Sequence, residues 1–363
     1  MKRINILLLI VFTCFVSAAW PQAQPQWKDN IISFDVPGAG TGAGQGTVPI
    51  GPNVWGSIVG FYFDTNSVPH GFLRSPRGSF TAFDPAGSTA TYAWGLNSEG
   101  AITGSYFDSS GMCHGFLRAP DGTFKRFDPT GSTCTTSGNL NDFGMIGGYY
   151  SDSSGVSHGF LRAPDGAITT FDAPGAGTGS GQGTFNFFVD VLNELGAITG
   201  YYVDANNVNH GYVRAPNGAI TTFNVKGAGT GSGQGTFGGV VNDFGAIMGW
   251  YIDANNLSHG YVRGLNGAIT TFNVKGAGTG SGQGTWPQNI TDLWAVPGYY
   301  IDSSGVSHGF LRAPDGAITT FDAPGAGTGS GQGTFTDASN QWCEITGWYV
   351  DVNGVYHGFL RIP

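Results

Sequence analysis

The chain has 363 residues, of which only 11% are charged while 13% are aromatic and 63 are glycine, and its formal charge is −9. Many aromatic residues with little charge exclude ordinary disorder, and glycine without a Gly-X-Y period excludes collagen. The negative charge repels nucleic acid and anionic membrane surfaces, so neither is an expected partner.

The N-terminus carries Lys2 and Arg3, then an apolar run from Ile6 to Val16, then the small residues Ser17, Ala18 and Ala19. That is the pattern of a cleaved secretory signal, here residues 1–19. The run is short for a membrane span, and no other stretch approaches the ~20 apolar residues a span needs. Residues 20–30 are rich in Pro and Gln and read as a linker. The expectation is an exported protein, extracellular or periplasmic, with no membrane attachment once the signal is removed.

From residue 31 to 363 the chain is a repeat. Asp152 to Phe185 recurs letter for letter at Asp302 to Phe335. Its core, Tyr-x-Asp followed by His-Gly-[Phe/Tyr]-[Leu/Val]-Arg, occurs seven times and contains every histidine: His70, His114, His158, His210, His259, His308 and His357. One unit shows four strand-like runs: A, a variable segment ending near Thr291; B, around Gly298 to Ile301; C, Val306 to Arg312; and D, Ala317 to Asp322. Asp302-Ser303-Ser304-Gly305 joins B to C, with Gly or Asn at the last position in every unit except the first, which has Ser67.

Four antiparallel strands per unit and seven units predict an all-β, seven-bladed β-propeller. A solenoid is the alternative, but it would want atypical capping units at its ends. The repeat starts in strand D at Ile31 and stops in strand C at Arg361, so the N-terminal strand is expected to complete the last blade, hiding both edges and bringing Asp35 to His357.

Asn193 to Tyr202 with His210-Gly211-Tyr212, and Asn242 to Tyr251 with His259-Gly260-Tyr261, fit the pattern Asn-x-x-Gly-x-Ile-x-Gly-x-Tyr followed by His-[Ala/Gly]-Phe. In this the chain resembles the bacterial extracellular HAF-repeat family, except at Leu293 to Pro297 and in added Gly-rich segments. The resemblance implies export and a propeller-like fold. It implies no reaction and no catalytic residues.

His beside Asp invites a catalytic reading. Tyr300 should lie opposite His308 and His308 opposite Asp322, but the trio recurs in every unit, whereas an active site is needed once. It reads as a buried structural network. Histidines of neighbouring blades should stand more than about 10 Å apart, two strands from the axis, so no metal is expected, and no cofactor. The seven repeat arginines read as ion or carbonyl partners at blade edges, and Glu99, Glu194 and Glu344 as solvated turn residues. Asp190 and Asp337, in A strands, are the candidate channel acids of an alternative reading, an exported lyase or glycosidase.

The insert Gly-Ala-Gly-Thr-Gly-Ser-Gly-Gln-Gly-Thr occurs four times and once with a single change at Gly38. It lacks the Gly-Lys-[Ser/Thr] of a phosphate loop and the Asp of calcium-binding glycine repeats. Its Gln45, Gln182, Gln234, Gln283 and Gln332 are the candidate ligand-binding residues. Cys113 and Cys134 fall on one face of the same repeat and are a candidate disulfide, with Cys343 outside it. The functional expectation is a monomeric, secreted, non-enzymatic binding or interaction module that recognises an extracellular polysaccharide or surface protein through its Gly-rich face. A purely structural surface protein is a further alternative.

Overall fold

The computed structural model describes residues 30–186 and 191–363. The expected signal peptide, residues 20–29 of the expected linker, and Asp190 lie outside these. The described residues form 28 strands and no helix, and the strands divide into seven antiparallel units of four. Unit 1 consists of A (Gly46–Pro52), B (Ile58–Phe63), C (Pro69–Arg74) and D (Phe80–Phe83). The last unit takes A (Gly333–Ser339), B (Ile345–Val350) and C (Tyr356–Ile362) from the C-terminus and its D (Asn30–Phe34) from the N-terminus. That strand pairs antiparallel with C, in register from Asn30 opposite Ile362 to Phe34 opposite Gly358.

The repeat motif is explained by packing. Its Ile is buried in B, as in Ile198 and Ile247, and the aromatic residue after His-Gly is buried in C, as in Tyr212, Tyr261 and Phe310, all with no exposure. Burying each Ile or Phe of this kind contributes roughly 1.5–3 kcal/mol. The motif's second Gly makes room for that ring: a Cβ on Gly298 would stand 2.6 Å from Phe310. The B-to-C turn is closed by its aspartate. Asp302 Oδ1 accepts the N–H groups of Ser304 and Val306 at 2.8 and 2.9 Å. Even Ser67, where the other units have Gly or Asn, takes the left-handed conformation the turn demands, with φ 61°.

Neighbouring units are clasped by the repeat arginines. Arg118 lies 5.0 Å from the ring centroid of Phe83 in the preceding unit, Arg361 4.8 Å from Phe321, and Arg74 4.9 Å from Phe34, which joins the first unit to the last. The expected carbonyl partners are there, with Arg162 and Arg312 donating 3.3 and 3.4 Å to the carbonyls of Ala163 and Ala313, and each guanidinium also gains a ring face in the neighbouring unit, worth about 0.5–2 kcal/mol.

Candidate functional site

Seven A-to-B turns converge on a cavity of about 210 Å³, and each is built on one side chain. Asn193 Oδ1 accepts the N–H groups of Leu195 and Ala197 at 3.1 and 2.9 Å, closing its own turn. Its Nδ2 donates 3.1 Å to the carbonyl of Asn242 in the next unit. The same reach runs from Asn53 to Asn97, Asn97 to Asn141, Asn141 to Asn193, Asn242 to Thr291, and Asn340 to Asn53. An amide carries, on separate arms, an acceptor for its own turn and a donor for its neighbour. Thr291 keeps the first role, accepting from Ala295 N–H at 3.1 Å, and has no second arm to reach unit 7.

The next turn position forms a second layer. Asp142, Glu194, Asp243 and Asp292 accept backbone N–H groups from Ser98, Asp142, Glu194 and Asp243 respectively, at 2.8 to 3.1 Å. Gln341 Oε1 accepts the N–H of Asp292 at 2.9 Å. Burial raises the Asp292 carboxyl pKa, and the Asp243 carboxylate raises it further, against the lowering by the Asp243 N–H. Glu194 was expected to be merely solvated; it is part of this inter-unit ladder.

The third turn position points outward. Trp55, Phe143, Leu195, Phe244, Leu293 and Trp342 are 49–69% exposed, with Glu99 in the remaining turn. A polar cavity thus sits inside a crown of large apolar side chains. The turn motif was visible in the sequence as Asn-x-x-Gly. What could have flagged the site is that the two residues between Asn and Gly pair an acid with an aromatic or leucine, as in Asn141-Asp142-Phe143.

The expected contact residues lie elsewhere. In each Gly-rich insert the glutamine folds back: Gln182 Oε1 accepts the N–H of Gly179 at 2.9 Å, and Nε2 donates 3.0 Å to Asn207 Oδ1 in the B-to-C turn of its own unit. Gln45, Gln234 and Gln332 make the same pair of contacts, to Gly42, Gly231 and Gly329 and to Thr65, Asn256 and Val352, and Gln283 Oε1 accepts from Gly280. The amides expected to face a ligand are therefore used to hold the insert. The alternating glycines make the fold-back sterically feasible: a Cβ on Gly177 would lie 2.3 Å from Gln182 Oε1. The insert lies between two B-to-C turns, with Gly181 N–H donating to Gly155 in the preceding unit and Gly177 N–H to Val203 in its own. It is a strap, not a flexible spacer. Where unit 3 lacks a strap, Cys113 of unit 2 is disulfide-bonded to Cys134, Cα atoms 4.3 Å apart; Cys343 is buried outside this bond.

Tyr300 pairs with His308 across B and C, their rings stacked with centroids 5.0 Å apart. His308 Nδ1 lies 3.0 Å from Asp322, and His357 Nδ1 3.0 Å from Asp35. The trio is not buried as expected. His308 is 23% and Asp322 54% exposed, because the D strand is the outer edge of its unit. Asp337 is half-buried beside Tyr299, raising a hydroxyl pKa that burial already raises. It is not in the cavity lining, which strand A of that unit enters only at Ser339.

The fold is that of the β-propellers. No family model and no curated protein matches the sequence, but solved structures do. The BP39L lectin from Burkholderia pseudomallei superposes with a TM-score of 0.56 at 12% identity, over 85% of this chain and 93% of that one. A streptogramin B lyase gives 0.55 at 13% identity, over 92% and 97%. The β-propeller domain of the Trilobed protease from Pyrococcus furiosus gives 0.53 at 8% identity, over 91% and 95%. At such identities the likeness is one of fold.

Proposed function

We propose that this protein is an exported, non-enzymatic binding module: a closed seven-bladed propeller over residues 31–363 that takes a saccharide polymer at its A-to-B face. Its repeats resemble those of the HAF family, which supports export. The circuit of Arg–Phe contacts from each unit to the one before it, including the first to the seventh, supports closure. The observation that carries the functional reading is the apolar crown around the polar cavity. Large exposed apolar side chains gathered on the turns around one cavity mark a contact surface. Flat rings beside fixed amides and carboxylates match a sugar, which has an apolar face and a rim of hydroxyl groups. The lectin among the similar propellers is in keeping with this. The Gly-rich face carries the reading less well, since its glutamine amides are already engaged.

A glycan array with the intact protein and a Trp55→Ala/Phe143→Ala variant tests it, with a parallel turnover assay on any saccharide bound. The expected result is binding weakened by about tenfold or more, equivalent to 1.4 kcal/mol or more, at unchanged melting temperature and without turnover. Binding unchanged in the variant, or turnover of the bound saccharide, would overturn it.

A further inference from the structure

We infer that the floor of this cavity selects a saccharide end bearing a cationic amine over one that is N-acetylated or acidic. The inference rests on the saccharide-binding reading above and adds the charge of the ligand.

Four consecutive units, the third to the sixth, place a carboxylate at one turn position: Asp142, Glu194, Asp243 and Asp292. Each accepts a neighbour's N–H, but that bond does not need a charge. In unit 7 the neutral Gln341 accepts the N–H of Asp292 at 2.9 Å, the same length that Asp243 and Asp292 achieve. The charges are therefore surplus to holding the turns together. They are also costly to keep side by side, as like charges near one another disfavour ionisation; the Asp292 pKa is raised first by burial and, to a smaller extent, by the Asp243 carboxylate.

Among the described residues no lysine or arginine lines the cavity to offset them, and no three His, Cys, Asp or Glu side chains converge as a metal site. A second group is also unspent. Ser339 lines the same cavity, is 9% exposed, and its Oγ has no hydrogen-bond partner. Directly outside the carboxylates stand the apolar residues of the same turns, Phe143, Leu195 and Phe244. A sugar ring resting on these would direct its amine toward the carboxylates, and the ring faces add to the attraction for a cation.

The test is calorimetric titration of the whole protein with a glucosamine oligomer, its N-acetylated counterpart and a galacturonate oligomer, below the pKa of the sugar amine. A lysine-rich peptide is the control. The glucosamine oligomer should bind about tenfold tighter than the acetylated one, and the galacturonate oligomer weakest. Asp243→Asn/Asp292→Asn should erase that preference, so that the two oligomers bind with equal affinity, while the turns stay closed, since an amide at this position already carries the bond in unit 7. Equal binding of both neutral and amine sugars, or a preference that survives the double variant, would overturn the inference and leave the saccharide reading standing. Absence of all saccharide binding would sink both, and tighter binding of the peptide would replace the saccharide with a basic polypeptide.

Discussion

His357 Nδ1 lies 3.0 Å from a carboxylate oxygen of Asp35, 322 positions away in the chain. His308 makes the same contact with Asp322, 14 positions away. Residues 30–35 thus do for the last unit what each other unit's own fourth strand does. The same N-terminal strand supplies Phe34, on which Arg74 of the first unit rests.

A chain beginning at residue 36 should therefore lose its clasp and leave the strand Tyr356–Ile362 with an open edge. The expected outcome is a lower melting temperature together with concentration-dependent association, since an unpaired edge templates further strands. Size-exclusion chromatography over a range of concentrations checks this. A monomer of unchanged stability would show that the strand is dispensable.

Thr291 is the one turn residue that cannot reach its neighbour. Thr291→Asn should supply the missing Nδ2 donor toward unit 7 while its Oδ1 replaces the Thr291 Oγ1 bond to Ala295. A net gain of about 0.5–1.5 kcal/mol is expected, the usual worth of one added hydrogen bond. The converse change, Asn242→Asp, removes a donor and adds a charge beside Asp243 and Asp292, and should cost about 1–3 kcal/mol. Urea unfolding of the two variants gives opposite shifts in midpoint if the amide circuit acts as described.

Glycine ends each strap for a steric reason. Gly235 has φ 116°, and a Cβ there would stand 2.1 Å from the carbonyl oxygen of Asn209 in the preceding unit. Gly235→Ala should cost at least about 1–3 kcal/mol from backbone strain. By contrast, Cys113→Ala/Cys134→Ala removes a cross-link spanning 21 positions and should cost about 3 kcal/mol under oxidising conditions. With reductant present, the wild type should fall toward the cysteine variant; a variant unaffected in either condition would show that the bond adds nothing.

Acid should loosen the B-to-C turns first. The N–H of Val68 foremost holds the Asp64 carboxyl below the usual aspartate range, that of Val156 does so for Asp152, and Ser110 then His114 do so for Asp108. A carboxyl whose pKa is lower in the folded chain adds stability that is present above the unfolded value, about 3.9, and is lost as pH falls through the folded value. Urea midpoints measured from pH 6 down to pH 2 should hold through the upper part of the range and drop below about pH 4. Asp152→Asn in one turn should flatten that drop slightly; an unchanged acid profile would remove the turn carboxylates as its cause.

The four strands of each unit and the turn chemistry were legible in the chain because they depend on residues a few positions apart. Asp302 closes a turn with Ser304 and Val306, and Tyr300 meets His308 across one hairpin. Even the pairing of Asp35 with His357 follows once each unit is seen to need a fourth strand. The roles of the amides were not legible. Gln182 and Asn193 are both amides in repeated loops, yet one folds onto its own strap and the other reaches Asn242, 49 positions on. Which arginine lies on which ring, and whether an acid lines the cavity like Asp292 or stands aside like Asp337, depended on the neighbour each side chain meets. That is set by how adjacent units pack, and only the tertiary structure decided it.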